Sequence, residues 1–227
     1  MNLFASLGGK LNYSDVLQID GTFSAAHINY KKAPKFNGTD GRTLACDSRK
    51  ESLSSAEHVD TVFEKIYIFN GVEHNLTHQD LLELWKYFWL EYVNAFDQLT
   101  SSLPESAATV FAGRHAIELG IKFILLKSTG EFPKTHNLGT LSGALFSKLP
   151  IGAGFMDGIE PFCKNYCSYI EGGNAEYFRF PQYRQDAYFA GNRLDIEWLS
   201  YNFALVLLKL IHFADLDEEL KNMGDRS

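Results

Sequence analysis

Arg114, Glu118 and Lys122 recur every four residues through RHAIELGIKFILLK, a segment whose other positions are almost all apolar. Four residues is close to one helical turn, so the three charges stack along one stripe of a helix. A helix that is apolar on its remaining faces belongs in a protein interior. An unpaired charge there is costly, so the stripe must be neutralised from within or held for a ligand. In one reading Arg114–Glu118 and Glu118–Lys122 form a structural ion-pair ladder, the commoner origin of such spacing. In the other the stripe binds a phosphate or nucleotide, with Arg114 as fork donor and Glu118 orienting it.

The chain of 227 residues suits one domain with an extra element or two small ones. Its apolar fraction of 45% is enough for a core, and its 18 Phe and 11 Tyr supply large buried areas. A net charge of -7 argues against a non-specific, high-affinity nucleic-acid binder, which needs a basic footprint. The three cysteines, Cys46, Cys163 and Cys167, are few and odd in number, as suits a reducing, cytoplasmic setting. Cys163 and Cys167 share a helix face and read as buried packing thiols rather than zinc ligands, and neither a metal nor a cofactor is expected. The N-terminus does not have the pattern of a signal peptide. The very apolar segment 198–214 is short and interrupted by Lys209 and His212, so no membrane span is expected.

Two regions are expected. Residues 1–76 lean towards β structure: strands at 16–19 and 22–30 around Asp20-Gly21, a polar loop over 31–56, and a hairpin around Asn70-Gly71. Residues 77–227 read as an antiparallel helical bundle. Thr77 begins the first helix with a capping-box-like Asp80, and a buried stripe runs through Leu81, Leu84, Trp85, Phe88, Trp89, Tyr92 and Phe96. Ser102-Leu-Pro-Glu105 is expected to open the second helix, which ends at Gly130. Thr135 caps a third, ending at Pro150. A fourth spans 154–171 before Gly172-Gly173, and the last runs from Asp195 to Leu220.

The motifs Arg114-His115-x-x-Glu118-Leu119-x-x-Lys122, Thr135-His136-Asn137-Leu138 and Phe178-Arg179-Phe180-Pro181, in that order across residues 78–215, resemble a branch of the HEPN superfamily. The resemblance implies a helical bundle that dimerises, a place in prokaryotic defence or toxin systems, and RNA as substrate or partner. Many members are metal-independent ribonucleases with an R-x4–6-H motif, whose histidine is the acid/base and whose arginine stabilises phosphate charge. This chain lacks that motif. No histidine follows Arg179, Arg184 or Arg193 at four to six residues, and Arg114 is followed at once by His115.

The candidate catalytic residues are therefore Arg114 and His136, with His115, Glu118, Lys122 and Arg179 as substrate-binding candidates. His115 points about 100° around the helix from Arg114 and could simply pack. His136, read as the first residue of a helix, is either a neutral base near the positive dipole end or an ordinary helix-start residue. Arg179 is an anion contact or a partner for Glu118, and in the second case the charged residues of all three motifs converge. His74 and His78 do not share a face, which disfavours a metal pair. The loop cations Lys31, Lys32, Lys35, Arg42, Arg49 and Lys50 read as solvated, with phosphate contact as the alternative. Two functions are carried forward: an RNA- or nucleotide-directed defence protein, and a non-catalytic dimerisation or protein-interaction module whose polar cluster is structural. No membrane partner is expected.

Overall fold

The structure, a computed structural model, describes residues 19–23, 28–29, 77–149, 151, 154–172, 178, 182–184, 187–188 and 193–216. These residues are mainly helical. Helix α1 spans His78–Ser102, α2 Ala107–Thr129, α3 Leu138–Lys148, α4 Ile159–Tyr166 and α5 Ile196–Phe213; α4 runs into a π-helical turn, Cys167–Glu171. Two short antiparallel pairings accompany them. Strand β1 (Ile28–Asn29) pairs with β4 (Arg193–Leu194), and β2 (Gln182–Arg184) with β3 (Ala187–Tyr188).

The capping box of α1 forms as expected: Thr77 accepts from the Asp80 amide while Asp80 accepts from the Thr77 amide at 2.9 Å. Several expected boundaries differ, and the last helix, expected to reach Leu220, stops at Phe213. Helix α1 continues through Ser102, so α2 starts later, at a Ser106 cap that accepts from the Ala108 amide. Asn137, rather than Thr135, caps α3 by accepting from the Thr140 amide at 2.8 Å. His136 thus stands just before α3 instead of being its first residue. Helix α4 is shorter than expected because the chain changes to π geometry before Gly172. Gly130 closes α2 in the left-handed region, as expected.

Antiparallel order of α1 and α2 follows from their contacts: Trp89 lies by Gly120 and Phe123, Tyr92 by His115, and Phe96 by Gly113. Helices α2 and α5 run parallel, since Gly113 meets Phe203 and Lys127 donates to the Ala214 carbonyl. Both are buried nearly all round; in α2 every residue from Ala112 to Leu126 except His115 is inside. By length and composition α5 could cross a membrane, but 72% of it is buried inside the fold. The inner stripe of α1 is Trp89, Val93 and Phe96. Leu84, expected within it, is 47% exposed.

Residues 19–23, expected to form strands around a turn, carry none and lie against α4 and α5. Most of 1–76 falls outside the described residues, including the second hairpin, His74, Cys46 and the basic loop.

Gly113 and Gly120 set the close approach of α1, α2 and α5. A Cβ at Gly120 would stand 2.6 Å from the Trp89 ring, and one at Gly113 would stand 2.6 Å from Phe96 and 2.7 Å from Phe203. Alanine would gain about 1 kcal/mol of helix propensity, but overpacking costs about 1–3 kcal/mol, and these rings are fully buried. Gly113→Ala is therefore expected to lower the melting temperature by a few degrees in a thermal scan, opposite in sign to an exposed helical Gly→Ala.

Candidate functional site

The charged stripe of α2 is closed upon itself and upon two neighbouring segments. Arg114, Glu118 and Lys122 are 4%, 2% and 7% exposed. Lys122 Nζ donates to Glu118 Oε1 at 2.7 Å, and Arg114 Nη1 donates to Glu118 Oε2. Arg114 Nε donates to Oε1 of Glu171 at 2.8 Å, and its Nη2 donates to the His136 carbonyl. All three guanidinium nitrogens therefore have acceptors within the protein. Lys122 also sits over the Phe132 ring, 5.6 Å from its centre.

His136 joins the cluster twice, by its carbonyl and by its imidazole. Nδ1 lies 2.8 Å from Glu118 Oε1, while the side chain is 71% exposed. When Nδ1 carries the proton, the carboxylate fixes the ring and leaves Nε2 facing water as an acceptor. His136 precedes α3 and is not part of its first turn. Instead, a buried carboxylate aims the ring.

The two carboxyls differ in environment. Burial alone would push the Glu118 carboxyl up, but the Lys122 hydrogen bond, the Arg114 charge and His136 outweigh it and hold Glu118 below the usual range. At Glu171 burial prevails over Arg114, and the carboxyl is pushed up. Burial also works against the charge on Arg114, but Glu171, Tyr166 and Glu118 hold the guanidinium more firmly protonated than usual.

His115 turns elsewhere. Its ring stacks on Phe111, 5.8 Å between centres, and meets Tyr92 edge-on at 4.5 Å. Burial lowers its pKa, favouring the neutral ring. Arg179 and its expected approach to Glu118 lie outside the described residues. Glu171 was missed from sequence, although a carboxylate in the last turn of a helical segment opposes the helix dipole and is a readable anomaly. The π-helical turn carries it towards Arg114. Cys163 and Cys167 are buried, as expected; burial pushes both thiols up, Cys167 to about 11, so they are unreactive at neutral pH.

Comparison of the chain with protein-family models, with curated proteins and with solved structures gives no match.

Removing the Glu118 charge takes the carboxylate from buried Lys122 and leaves buried Arg114 with Glu171 as its carboxylate, whereas removing that of Glu171 relieves a carboxylate that burial already disfavours. Glu118→Gln is expected to cost about 3–5 kcal/mol, and Glu171→Gln distinctly less, in urea unfolding at neutral pH.

The pH signs also differ. The Glu118 contribution is present above the usual glutamate range and lost as pH falls through its lowered folded value. The Glu171 contribution is present at low pH and lost as pH rises through its raised value. Stability measured against pH should therefore lose part of its acid limb in Glu118→Gln and keep it in Glu171→Gln.

Proposed function

We propose that this chain is a HEPN-like helical protein of a prokaryotic defence or toxin system that engages RNA or a nucleotide phosphate at the His136 edge of its buried cluster. The observation that carries this reading is an exposed imidazole held at 2.8 Å by a buried carboxylate. A histidine oriented in this way can pass a proton to or from a bound hydroxyl or phosphate, an effect worth about 10²–10⁴ in rate. Arg114 then has a different role from the arginine of a R-x4–6-H site. With its nitrogens engaged by Glu171, Glu118 and the His136 carbonyl, it positions Glu118 and the His136 backbone instead of holding phosphate. Glu118 orients the ring and Lys122 keeps Glu118 charged.

The second reading is a dimerisation or protein-interaction module whose cluster is purely structural. Two observations favour it: the engagement of Arg114 within the fold, and the exposure of Leu84 (47%) and Tyr87 (65%) on α1. Phe88 and Tyr92, on the same helix, line a shallow groove.

Incubation of the protein with labelled total RNA and tRNA in metal-free buffer separates the two. The first reading expects RNA cleavage whose rate falls at least about a hundredfold in His136→Ala, or RNA retention that the same change weakens. The melting temperature should fall only slightly, because the exposed ring gives up one hydrogen bond to Glu118 while the residue's carbonyl keeps Arg114. Neither cleavage nor binding by a protein with intact helical circular dichroism would overturn it in favour of the module.

A further inference from the structure

Helix α1 turns Trp89, Val93 and Phe96 inward and leaves a second stripe open. Phe88, Glu91, Tyr92 and Ala95 recur at i, i+3, i+4 and i+7, the spacing of one helical face. With Asn94 they line an open groove of about 610 Å³. Glu91, Asn94 and Ala95 are exposed, and the two rings are half-buried. One turn earlier stand Leu84 and Tyr87, 47% and 65% exposed. Single apolar residues on a surface need no explanation, but these adjoin one another on one face.

The groove has a defined wall. The Phe88 and Tyr92 rings meet at 59° with their centres 5.4 Å apart, so they make a corner rather than a flat plate. Tyr92 is braced by the His115 ring, which it meets edge-on at 4.5 Å. Ala95, being small, leaves room beside them.

The lining carries one charge, and it is negative. Glu91 makes no ion pair or hydrogen bond among the described residues. The one lysine of α1, Lys86, is held by Glu83 at 2.6 Å. These features select among occupants. A carboxylate repels phosphate, so RNA does not fit here. A wholly apolar partner would cover Glu91 and Asn94 without giving them hydrogen bonds, which is costly. A guanidinium satisfies both halves of the lining. Its planar, weakly hydrated face stacks on an aromatic ring, and its fork of N–H donors suits a carboxylate and an amide oxygen.

We propose that this groove receives an arginine side chain of a partner protein, with the guanidinium face in the Phe88–Tyr92 corner and its N–H groups on Glu91 and Asn94. The net charge of -7 draws basic partners towards the chain. The proposal rests on the interaction-module reading of the α1 face, to which it adds the partner's chemistry, and it holds whether or not His136 acts on RNA.

The test titrates the full-length chain with the peptide acetyl-Gly-Gly-Arg-Gly-Gly-amide, followed by nuclear magnetic resonance at the Asn94 side-chain amide and the Ala95 methyl. Both signals should shift and saturate. The citrulline peptide, which keeps the shape and loses the charge, should bind at least about threefold more weakly. Glu91→Gln should weaken the arginine peptide to the same extent, threefold being the scale of one exposed ion pair. Phe88→Leu, which keeps apolar bulk and removes the ring, should weaken it as well. Absent shifts, or equal binding by the citrulline peptide or by Glu91→Gln, overturn the proposal. Sedimentation of the chain alone tells that failure from failure of the face itself. Self-association that Tyr87→Ala abolishes, without arginine binding, would replace the arginine by a second copy on the same face. Neither association nor peptide binding would overturn the face together with the arginine.

Discussion

The Glu118 carboxylate is the joint on which this fold turns. One oxygen takes Lys122 and His136, and the other takes Arg114. Through those bonds α2 holds the entry to α3, and through Arg114 it holds the end of the π-helical turn at Glu171. Buried ion pairs rarely stabilise more than a well-packed apolar substitute would. Their effect here is positional. An apolar contact tolerates sliding, whereas a carboxylate shared among three donors on two segments fixes the register between them.

That arrangement also separates roles within one cluster. Arg114 and Lys122 face inward and are used up by internal acceptors, so the positive charge that made the stripe conspicuous is not presented to solvent. Among the described residues of the cluster, only the His136 side chain emerges. The cluster can therefore be read as a buried electrostatic frame around one outward imidazole, whose orientation is set by a group that water barely reaches.

Much of the helical architecture was legible from the sequence, because it is written in local chemistry. Thr77 with Asp80, the left-handed Gly130 and the apolar spacing of α2 act within a turn or two of themselves. The ladder was legible for the same reason, since Arg114, Glu118 and Lys122 are neighbours on one helix. The misplaced features depend on tertiary choices. Ser102 and Thr135 are competent caps, but Ser106 and Asn137 were used, because packing decides which of two nearby polar residues ends a helix. Leu84 fits the periodic stripe of α1 and yet faces outward, since α2 covers only the side bearing Trp89, Val93 and Phe96. Glu171, 57 residues from Arg114, and Asp20, 182 residues from Asn202, form pairs that no spacing rule reaches.

The π-helical turn at Cys167–Glu171 has a consequence for how such a site could be gained or lost. A π turn accommodates one residue more than the α geometry it interrupts. Removing a single residue from this stretch would let α4 continue regularly and would swing the carboxylate roughly 100° around the helix axis, away from Arg114. The second anion of the cluster is thus present by virtue of chain length as much as side-chain identity. Insertion and deletion, and not substitution alone, would therefore decide whether Arg114 Nε is met by a carboxylate of its own chain.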